Sequence, residues 1–340
     1  MANVYKWLMR KRKGTNKERL NKMIDIMAKD NHTSKTRIKL DMYFNILTRG
    51  VGYTDYFRGN YYNLTSKEKD TFVTTKSFYK LISYLNDDKY EIVLHDKILF
   101  NTIFKKYLKR EFIDLRETNL DEFKIFLNSR KVVFAKDPVG YGGHGITKIT
   151  VSKEKDLKKL YEKLLTQKQY LIEEEIVQSK EVNEINPNVV CSLRICTLYK
   201  DGKAYLVGNA FRINQDESEI IGCTNDLYFS LGKDGKIDSN VIDDYGKIYE
   251  EHPLTHKKFK EVKIPDVKEV FLMCQEAALK LPQVRYIGWD IAFTDNGPVM
   301  VEGNEYPGYG ILQFYKLKNS KEGYLKVLGD ILGDELKQIK

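Results

Sequence analysis

Apolar positions in the first quarter of the chain follow the spacing of helices. From about residue 15 to residue 86 they recur with a period of about 3.6, without strand-like alternation. Glycines are few in this stretch outside the segment 49–62. The pattern predicts a helical N-terminal region.

The pattern changes after Glu91, where alternating, β-branched segments bounded by turn residues predict strands. These segments are 132–137, 146–151, 169–174, 192–199, 203–213, 286–293 and 298–304. Segments with helical spacing lie between or beside them, at 96–109, 156–167, 266–281 and 323–338. Together they predict an α+β protein with mostly antiparallel sheets.

The composition is that of an ordinary globular protein. With 340 residues, 42% of them hydrophobic, the chain can bury a sizeable core, and its length suits two domains or one large α/β domain. No run approaches the roughly 18 apolar residues of a membrane span, and no signal-peptide pattern opens the chain. We therefore expect a cytoplasmic protein. The cysteines show no CxxC spacing, so we interpret them as reduced core thiols.

The net charge of +9 belongs to the N-terminal segment. Residues 1–40 contain 12 Lys or Arg against 3 Asp or Glu, and the remaining charges balance. Apolar residues recur at helical spacing around the basic run 10–13. One interpretation is weak peripheral contact of residues 1–14 with the inner face of the membrane. We prefer a solvated helix whose apolar stripe packs on the protein. No nucleic-acid-binding signature is present, so we expect no nucleic acid partner.

A glycine-rich segment follows the predicted strand 132–137. Lys136 ends that strand, and the residues after it include Gly140, Gly142, Gly143, His144 and Gly145. Such a flap can cover phosphates with its backbone N–H groups, while the lysine supplies positive charge. It matches neither a Walker loop nor a Rossmann turn. A glycine-rich hairpin without a chemical role explains it equally well.

Charged residues interrupt three other predicted strands. Because neighbouring strand residues point to opposite faces, Glu173, Glu174 or both should engage a ligand hydroxyl or a basic side chain. A solvated strand end is the alternative. Arg194 and Arg212 each lie inside an apolar strand, where an arginine is costly unless it pairs with a carboxylate or phosphate. They predict either salt bridges to core acids or a clamp on a phosphoryl group.

Three oxygen donors lie at the edges of the last two predicted strands. Asp290 begins an apolar segment, and Glu302 and Asn304 end the next one. Two buried carboxylates together predict a nearby cation or base. For the two acids to face each other, Thr294 must pair with Pro298 across a three-residue loop. A two-residue loop would put them on opposite faces. An all-oxygen set suits Mg²⁺.

Taken together and in this order, these features resemble the ATP-grasp fold. The resemblance depends on a lysine before a helix (Lys97), the strand lysine with its flap, the acidic strand, the two strand arginines and the final Glu-x-Asn series. More narrowly, residues 185–199, 209–213 and 287–304 are similar to the ATP-grasp subfamily found beside sugar-transfer genes in capsule and exopolysaccharide clusters. The match covers roughly residues 90–315.

The resemblance implies two α+β subdomains that grip ATP between mostly antiparallel sheets, preceded by a helical N-terminal region. We expect the helical region with its basic leader at 1–88. The small subdomain with the glycine flap is expected at 89–175, and the large subdomain with the metal site and C-terminal helix at 176–340.

The resemblance also implies roles for individual residues. The residues expected to contact ATP are Lys97, Lys136, Gly140, Gly142, Gly143, His144, Gly145, Ile172, Glu173 and Glu174. Arg194 with Arg212 would stabilise the transferred phosphoryl group. Asp290, Glu302 and Asn304 would bind one or two Mg²⁺ ions.

The chemistry implied is attack of a carboxylate on the γ-phosphate of ATP, giving an acyl phosphate that an amine or similar nucleophile opens. We expect an ATP- and Mg²⁺-dependent carboxylate–amine ligase, acting on a small-molecule or sugar-linked carboxylate in cell-surface polysaccharide biosynthesis. The alternatives are a phosphotransferase of the same fold and a non-catalytic nucleotide-binding scaffold at the membrane. A non-catalytic scaffold would have no reason to keep its three metal donors unpaired by arginine. Because we prefer the ligase, we expect Asp290, Glu302 and Asn304 all to be unpaired by arginine.

The sequence departs from the subfamily pattern on the acceptor side. Cys191 and Ser192 stand where the subfamily usually has Asn-Thr, and the segment 220–230 replaces its Asp-Asn and paired glycines. These departures bear on the identity of the substrate more than on the binding of ATP.

Overall fold

The computed structural model describes residues 16–140, 145–216 and 226–339. The chain divides into two compact units, one formed by Met1–Leu81 with Tyr309–Lys340 and the other by Ile82–Gly308. No helix within the described ranges is both long enough and apolar enough to cross a membrane. The predicted contact of residues 1–14 with a membrane falls outside the described residues.

The first unit is helical, as the apolar spacing predicts. Its helices are Lys17–Asp30, Lys35–Arg49, Tyr53–Arg58, Ser66–Lys69, Tyr315–Lys318, Tyr324–Leu332 and Glu335–Ile339, and it also includes the start of Thr75–Leu85. In the helix Lys17–Asp30 the apolar residues Met23, Ile24 and Met27 are buried. The preferred interpretation, an apolar stripe that packs on the protein, is confirmed for this helix.

The second unit begins with helices and a four-stranded sheet. The helices Asp88–His95, Lys97–Ile103 and Lys105–Leu108 precede strands β1 (Phe112–Asp114), β2 (Val132–Lys136), β3 (Ile146–Thr150) and β4 (Leu171–Glu174). The strand order is β1-β4-β2-β3, and every pairing is antiparallel. The helices Leu120–Asn128 and Leu157–Thr166 share an apolar core with this sheet, which buries Val133, Ala135 and Ile172.

A six-stranded sheet forms the rest of the second unit. It consists of β5 (Ser192–Lys200), β6 (Lys203–Asn214), β7 (Asp226–Phe229), β8 (Ile242–Asp243), β9 (Tyr286–Thr294) and β10 (Gly297–Asn304). The order is β10-β9-β5-β6-β7-β8, again antiparallel throughout. The helix Val267–Leu279 packs on its apolar face, and a single turn of helix, Lys180–Asn183, lies between β4 and β5.

The predicted α+β class with antiparallel sheets is confirmed, and all seven predicted strands are present. The short strands β1, β7 and β8 were missed, because two to four residues are too few to show an alternation. Two predicted helices are each broken in two. The helix predicted at 96–109 is interrupted at Phe104, and that at 323–338 at Gly333, whose φ of 58° ends a helix. Cys191, Cys196 and Cys274 are buried, as expected of core thiols, and Cys223 lies outside the described residues.

Candidate active site

One face of the six-stranded sheet is apolar, and the opposite face carries charged residues. On β5, Leu193 and Ile195 are buried in the core, so Arg194 between them points to the other face. The strand register places Asp290 opposite Arg194, and Glu302 opposite Asp290. Three neighbouring strands therefore present one arginine and two acids side by side.

The hairpin between β9 and β10 differs from the expected one. Thr294 pairs with Gly297 instead of Pro298, so the loop has two residues and the predicted three-residue loop is wrong. Gly297 has a φ of 88°, a backbone conformation that glycine adopts at little cost. This conformation allows the two-residue turn. This loop by itself would place the two acids on opposite faces of the sheet.

A β-bulge on β10 reverses the one-residue change of register that the shorter loop introduces. Met300 keeps the register set by the loop, whereas Glu302 pairs with Asp290, so Val301 is an extra residue. The carbonyl groups of Met300 and Val301 accept hydrogen bonds from the buried guanidinium of Arg110, at 2.6 and 3.3 Å. The expected juxtaposition of the two acids is therefore present, but the bulge and Arg110 produce it rather than the loop.

Asp290 is paired by an arginine. Its two carboxylate oxygens accept hydrogen bonds from Nε and Nη2 of Arg194, the latter at 2.7 Å, while Nη1 of Arg194 donates to the carbonyl of Pro307 at 2.9 Å. The amide of Asn304 donates to the same carboxylate at 3.3 Å. The expectation that all three candidate metal donors are unpaired by arginine is thus wrong for Asp290. A buried carboxylate that lies opposite an arginine in the ladder is stabilised by pairing with it.

Glu302 differs from Asp290 in that it forms no salt bridge with any described residue. Burial raises the pKa of Glu302, and the neighbouring charge of Asp290 raises it further, while Arg194 and Lys136 act in the opposite direction. The site therefore contains one carboxyl group whose negative charge is incompletely compensated. A cation at this position would stabilise the ionised form.

Lys97 and Lys136, the two lysines expected to contact ATP, approach the carboxyl group of Glu302 from other elements of the second unit. Lys97 begins the helix Lys97–Ile103, and its Nζ donates a hydrogen bond to the carbonyl of Gly140. Burial lowers the pKa of Lys97, whereas the charge of Glu302 raises it, and Lys136 lowers it. These mutual effects indicate that Lys97, Lys136 and Glu302 lie within electrostatic reach of one another.

The described ends of the glycine segment are anchored. Gly145 has a φ of 74°. Its carbonyl accepts hydrogen bonds from the backbone N–H of Asp137 at 3.1 Å and from the side-chain amide of Gln169 at 2.9 Å. Gly140 is held by Lys97. The other predicted flap residues, Gly142, Gly143 and His144, lie outside the described residues, and a role of the flap over phosphates stays a prediction.

Glu173 is buried among basic side chains. It accepts hydrogen bonds from Asn101 at 2.6 Å and Arg110 at 3.0 Å, and its other oxygen lies 2.5 Å from Nζ of Lys136. Burial alone would raise the pKa of Glu173, but the charges of Lys136 and Arg110, with the hydrogen bonds from Lys136 and Asn101, lower it to about 2. The sequence predicted either a ligand hydroxyl or a basic side chain as the partner of this acid. In the structure the partners include basic side chains.

The neighbours of Glu173 on β4 are placed differently. Glu174 pairs with Arg130 at 2.7 Å and accepts a hydrogen bond from the backbone of Glu111 at 2.7 Å, so it is engaged within the small sheet. Ile172 is fully buried in the core of that sheet. Contact of these residues with adenine and ribose stays a prediction.

Arg212 lies on the same face of the six-stranded sheet as Arg194. It pairs in register with Ser192, two residues from Arg194, and its Nε donates to Asp226 at 2.5 Å. Burial raises the pKa of Asp226, and Arg212 lowers it. Both strand arginines therefore form the salt bridges to buried acids that the first of the two interpretations predicted. A role in binding a phosphoryl group stays a prediction.

The sequence did not reveal Arg110, Asn101 or Asp226. Arg110 joins Glu173 of the small sheet to the bulge of the large one, yet it stands in a basic stretch at a helix end with no distinguishing pattern. Asn101 lies on a helix that was predicted, and its burial at 1% exposure is the feature that sets it apart. Asp226 belongs to the short strand β7, which was missed.

Two antiparallel sheets, one carrying the lysine and glycine segment and the other the paired acids, form the ATP-grasp fold. The model of the family described as sugar-transfer associated ATP-grasp matches residues 78–323, and the chain belongs to that family. None of the curated proteins matches the chain significantly in sequence.

Similarity to solved structures is broad but distant. The ATP-grasp ligase PsnB complexed with minimal precursor is 14% identical, with a TM-score of 0.43 over 75% of this chain and 63% of that one. D-alanine–D-alanine ligase from Bacillus anthracis is 14% identical, with a TM-score of 0.40 over 81% and 79%. D-cycloserine synthetase DcsG is 10% identical, with a TM-score of 0.42 over 70% of each chain. These scores are too low to carry an argument about this chain's activity.

Proposed function

We propose that the protein is an ATP- and Mg²⁺-dependent ligase that joins a carboxylate to an amine or similar nucleophile through an acyl phosphate. The observation that carries this proposal is the position of Glu302, a half-buried carboxyl without a salt bridge to any described residue, beside Asp290 and within electrostatic reach of Lys97 and Lys136. Family membership supports the nucleotide as ATP.

The donor set fits magnesium. Two carboxylates and the amide oxygen of Asn304 are hard oxygen donors, and the raised pKa of Glu302 is the condition that a nearby cation would relieve. Within the described ranges no three His, Cys, Asp or Glu side chains come together as a metal site. Mg²⁺ is commonly bound by one or two carboxylates together with substrate phosphates, so the phosphate oxygens of the nucleotide would complete the coordination. A bound Mg²⁺ would neutralise charge on those phosphates.

The chain's own residues would act by binding and orientation. Lys97 and Lys136 would hold phosphate oxygens, and the N–H groups of Arg194 not used by Asp290 and Pro307 would face the transferred phosphoryl group. The substrate carboxylate would attack the γ-phosphorus, and ADP would leave. The nucleophile would then attack the acyl carbon, phosphate would leave, and the nitrogen would lose its proton to solvent. No protein nucleophile is needed.

The substrate context comes from the family description. Sugar-transfer association supports a small-molecule or sugar-linked carboxylate as the acceptor and a role in cell-surface polysaccharide biosynthesis. A cytoplasmic location suits the ATP requirement. The three-part domain division at 1–88, 89–175 and 176–340 is retained as a proposal.

The pairing of Arg194 with Asp290 favours a second candidate, a nucleotide-binding scaffold without catalysis. An arginine that occupies both oxygens of one candidate metal ligand is the arrangement expected of a site that no longer needs that ligand free. A phosphotransferase of the same fold would share the ATP site and differ only in its product.

Product analysis separates these candidates. The protein is incubated with ATP, Mg²⁺ and pairs drawn from uronic acids, amino acids and amines, and nucleotide products are measured together with product mass. Formation of ADP and phosphate that depends on both substrates, with an amide in the product, supports the ligase. ADP with a stable phosphorylated product indicates the phosphotransferase, Mg²⁺-dependent nucleotide binding without turnover indicates the scaffold, and AMP formation would overturn all three.

A further inference from the structure

The helix Lys35–Arg49 has a buried face and, opposite to it, an exposed apolar face. Ile38, Met42 and Asn45 recur at a spacing of three to four residues and are almost fully buried, at 0%, 3% and 1% exposure. These side chains are sufficient to pack the helix on its own unit.

Four large apolar side chains line the outward face of this helix. Leu40, Tyr43, Phe44 and Leu47 follow the i, i+3, i+4, i+7 spacing of one helix face, and their exposures are 66%, 56%, 62% and 65%. We call these four residues the exposed stripe. Single exposed apolar residues are common on protein surfaces, but a continuous row of this kind marks an interaction surface.

The surroundings of the exposed stripe are basic. Lys35, Arg37 and Lys39 are exposed at the start of the same helix, and Lys35 is 2.8 Å from Asp25. The one acid of the helix, Asp41, is turned toward the unit, where it accepts hydrogen bonds from Tyr56 at 2.6 Å and Asn45 at 3.1 Å. A depression of about 530 Å³ opens beside Arg37 and is lined by Ala28, Lys29, His32, Thr33, Ser34 and Arg37.

We propose that the exposed stripe and its basic surroundings dock the protein onto a membrane surface that contains anionic phospholipids. An amphipathic helix with aromatic and aliphatic residues on one face and lysine or arginine beside them lies at the boundary between headgroups and acyl chains. The apolar side chains enter that boundary, and the basic residues bind headgroup phosphates. Tyr43 and Phe44 suit this depth, where aromatic rings are favoured.

Other occupants fit less well. A second copy of the chain would bring the same basic residues against each other, and four side chains of one helix fall short of the roughly 800 Å² per partner of a stable interface. Residues 1–15 contain five basic residues and no acid, so they would also meet like charge at the stripe. An anionic membrane matches both the apolar row and the charge. This surface belongs to the first unit, and the residues of the proposed chemistry belong to the second.

Co-sedimentation of the full chain with vesicles tests the proposal. Vesicles of phosphatidylcholine alone are compared with vesicles that also contain about 30% phosphatidylglycerol, at low and high salt. The proposal predicts binding only to the anionic vesicles, weakened by salt. Replacing Phe44→Ser with Leu47→Ser, or Arg37→Glu with Lys39→Glu, should weaken binding by about tenfold or more. These side chains are exposed, so thermal unfolding should remain unchanged.

A matched control makes the same change on another helix. Leu272→Ser with Leu279→Ser removes two exposed leucines, at 62% and 47%, from the helix Val267–Leu279 and should leave vesicle binding unchanged. Three outcomes would overturn the proposal: no binding of the unaltered chain to anionic vesicles, binding of the Phe44 and Leu47 variant and of the Arg37 and Lys39 variant equal to that of the unaltered chain, or loss of binding only on deletion of residues 1–14. A change in oligomeric state in the Phe44 and Leu47 variant, without any change in vesicle binding, would also overturn it.

Discussion

Arg194 and Asp290 lie directly opposite each other on β5 and β9, and the guanidinium of Arg194 binds both oxygens of the Asp290 carboxylate. The arginine therefore offsets one of the two acids on this face. Glu302, opposite Asp290 on the next strand, forms no salt bridge within the part of the chain that is described, and burial raises its pKa. The asymmetry leaves Glu302 as the acid of this pair that no described arginine binds.

Arg110 connects the two sheets of the second unit, and its removal should destabilise the protein. Arg110→Met would leave Glu173 buried with Lys136 as its remaining cationic partner among the described residues and would free the carbonyls of the bulge. Breaking a buried ion pair costs about 3 kcal/mol or more. We expect a loss of this size in the free energy of unfolding, measured by urea denaturation.

An exposed ion pair provides the comparison for Arg110. Lys124→Met removes the surface partner of Asp121, and such pairs contribute less than about 1 kcal/mol. If the two variants lose similar stability, Arg110 does not hold the sheets together in the way described. Turnover should also fall in Arg110→Met alone, since the bulge positions Glu302.

Acid should unfold the protein partly through Glu173. Its pKa is lowered from an ordinary value of 4.5 to about 2, so its contribution is fully present above pH 4.5 and is lost as the pH falls toward 2. A shift of this size corresponds to about 3 kcal/mol. Urea denaturation at a series of pH values should show that Glu173→Gln is less stable at neutral pH and loses less stability in acid. Parallel pH curves for the two proteins would contradict this assignment.

Gly288 on β9 makes room for Arg194 and Pro307. A Cβ at this position would lie 3.0 Å from Cδ of Arg194 and 2.8 Å from Cβ of Pro307. Gly288→Ala should therefore displace the arginine, lower stability by about 1–3 kcal/mol and reduce turnover. Gly329→Ala is the control, because there the added methyl meets only the end of Leu336 within a helix. Equal stability and turnover of Gly288→Ala and the unaltered chain would show that the space is not needed.

The elements that were predicted well are those with a long periodic signal. The strands containing Arg194 and Asp290 were predicted almost to the residue, because apolar residues with β-branched or aromatic side chains fill both segments. Each of these strands pairs antiparallel with the next one across a short connection, β5 with β6 and β9 with β10. The shared face of Asp290, Glu302 and Asn304 was also anticipated, although the reason given for it was wrong.

What was missed depends on contacts between distant parts of the chain. A bulge at Val301 has no marker in a strand of apolar residues, and the partner of its carbonyls, Arg110, stands far away in the sequence. The pairing of Arg212 with Asp226 likewise joins a predicted strand to one too short to predict. A sequence pattern reports the face on which a side chain lies, but not which distant charge reaches it.

The central claim is that Glu302 is the carboxylate that a nucleotide-bound magnesium ion requires. The most direct test measures binding of ATP by isothermal titration calorimetry, with and without Mg²⁺, for the unaltered chain, Glu302→Gln and the exposed control Glu117→Gln. We predict that Mg²⁺ strengthens ATP binding in the unaltered chain and the control, that Glu302→Gln loses this enhancement, and that it unfolds at the same or a higher temperature because the buried charge is gone. Equal enhancement by Mg²⁺ in Glu302→Gln would contradict the claim.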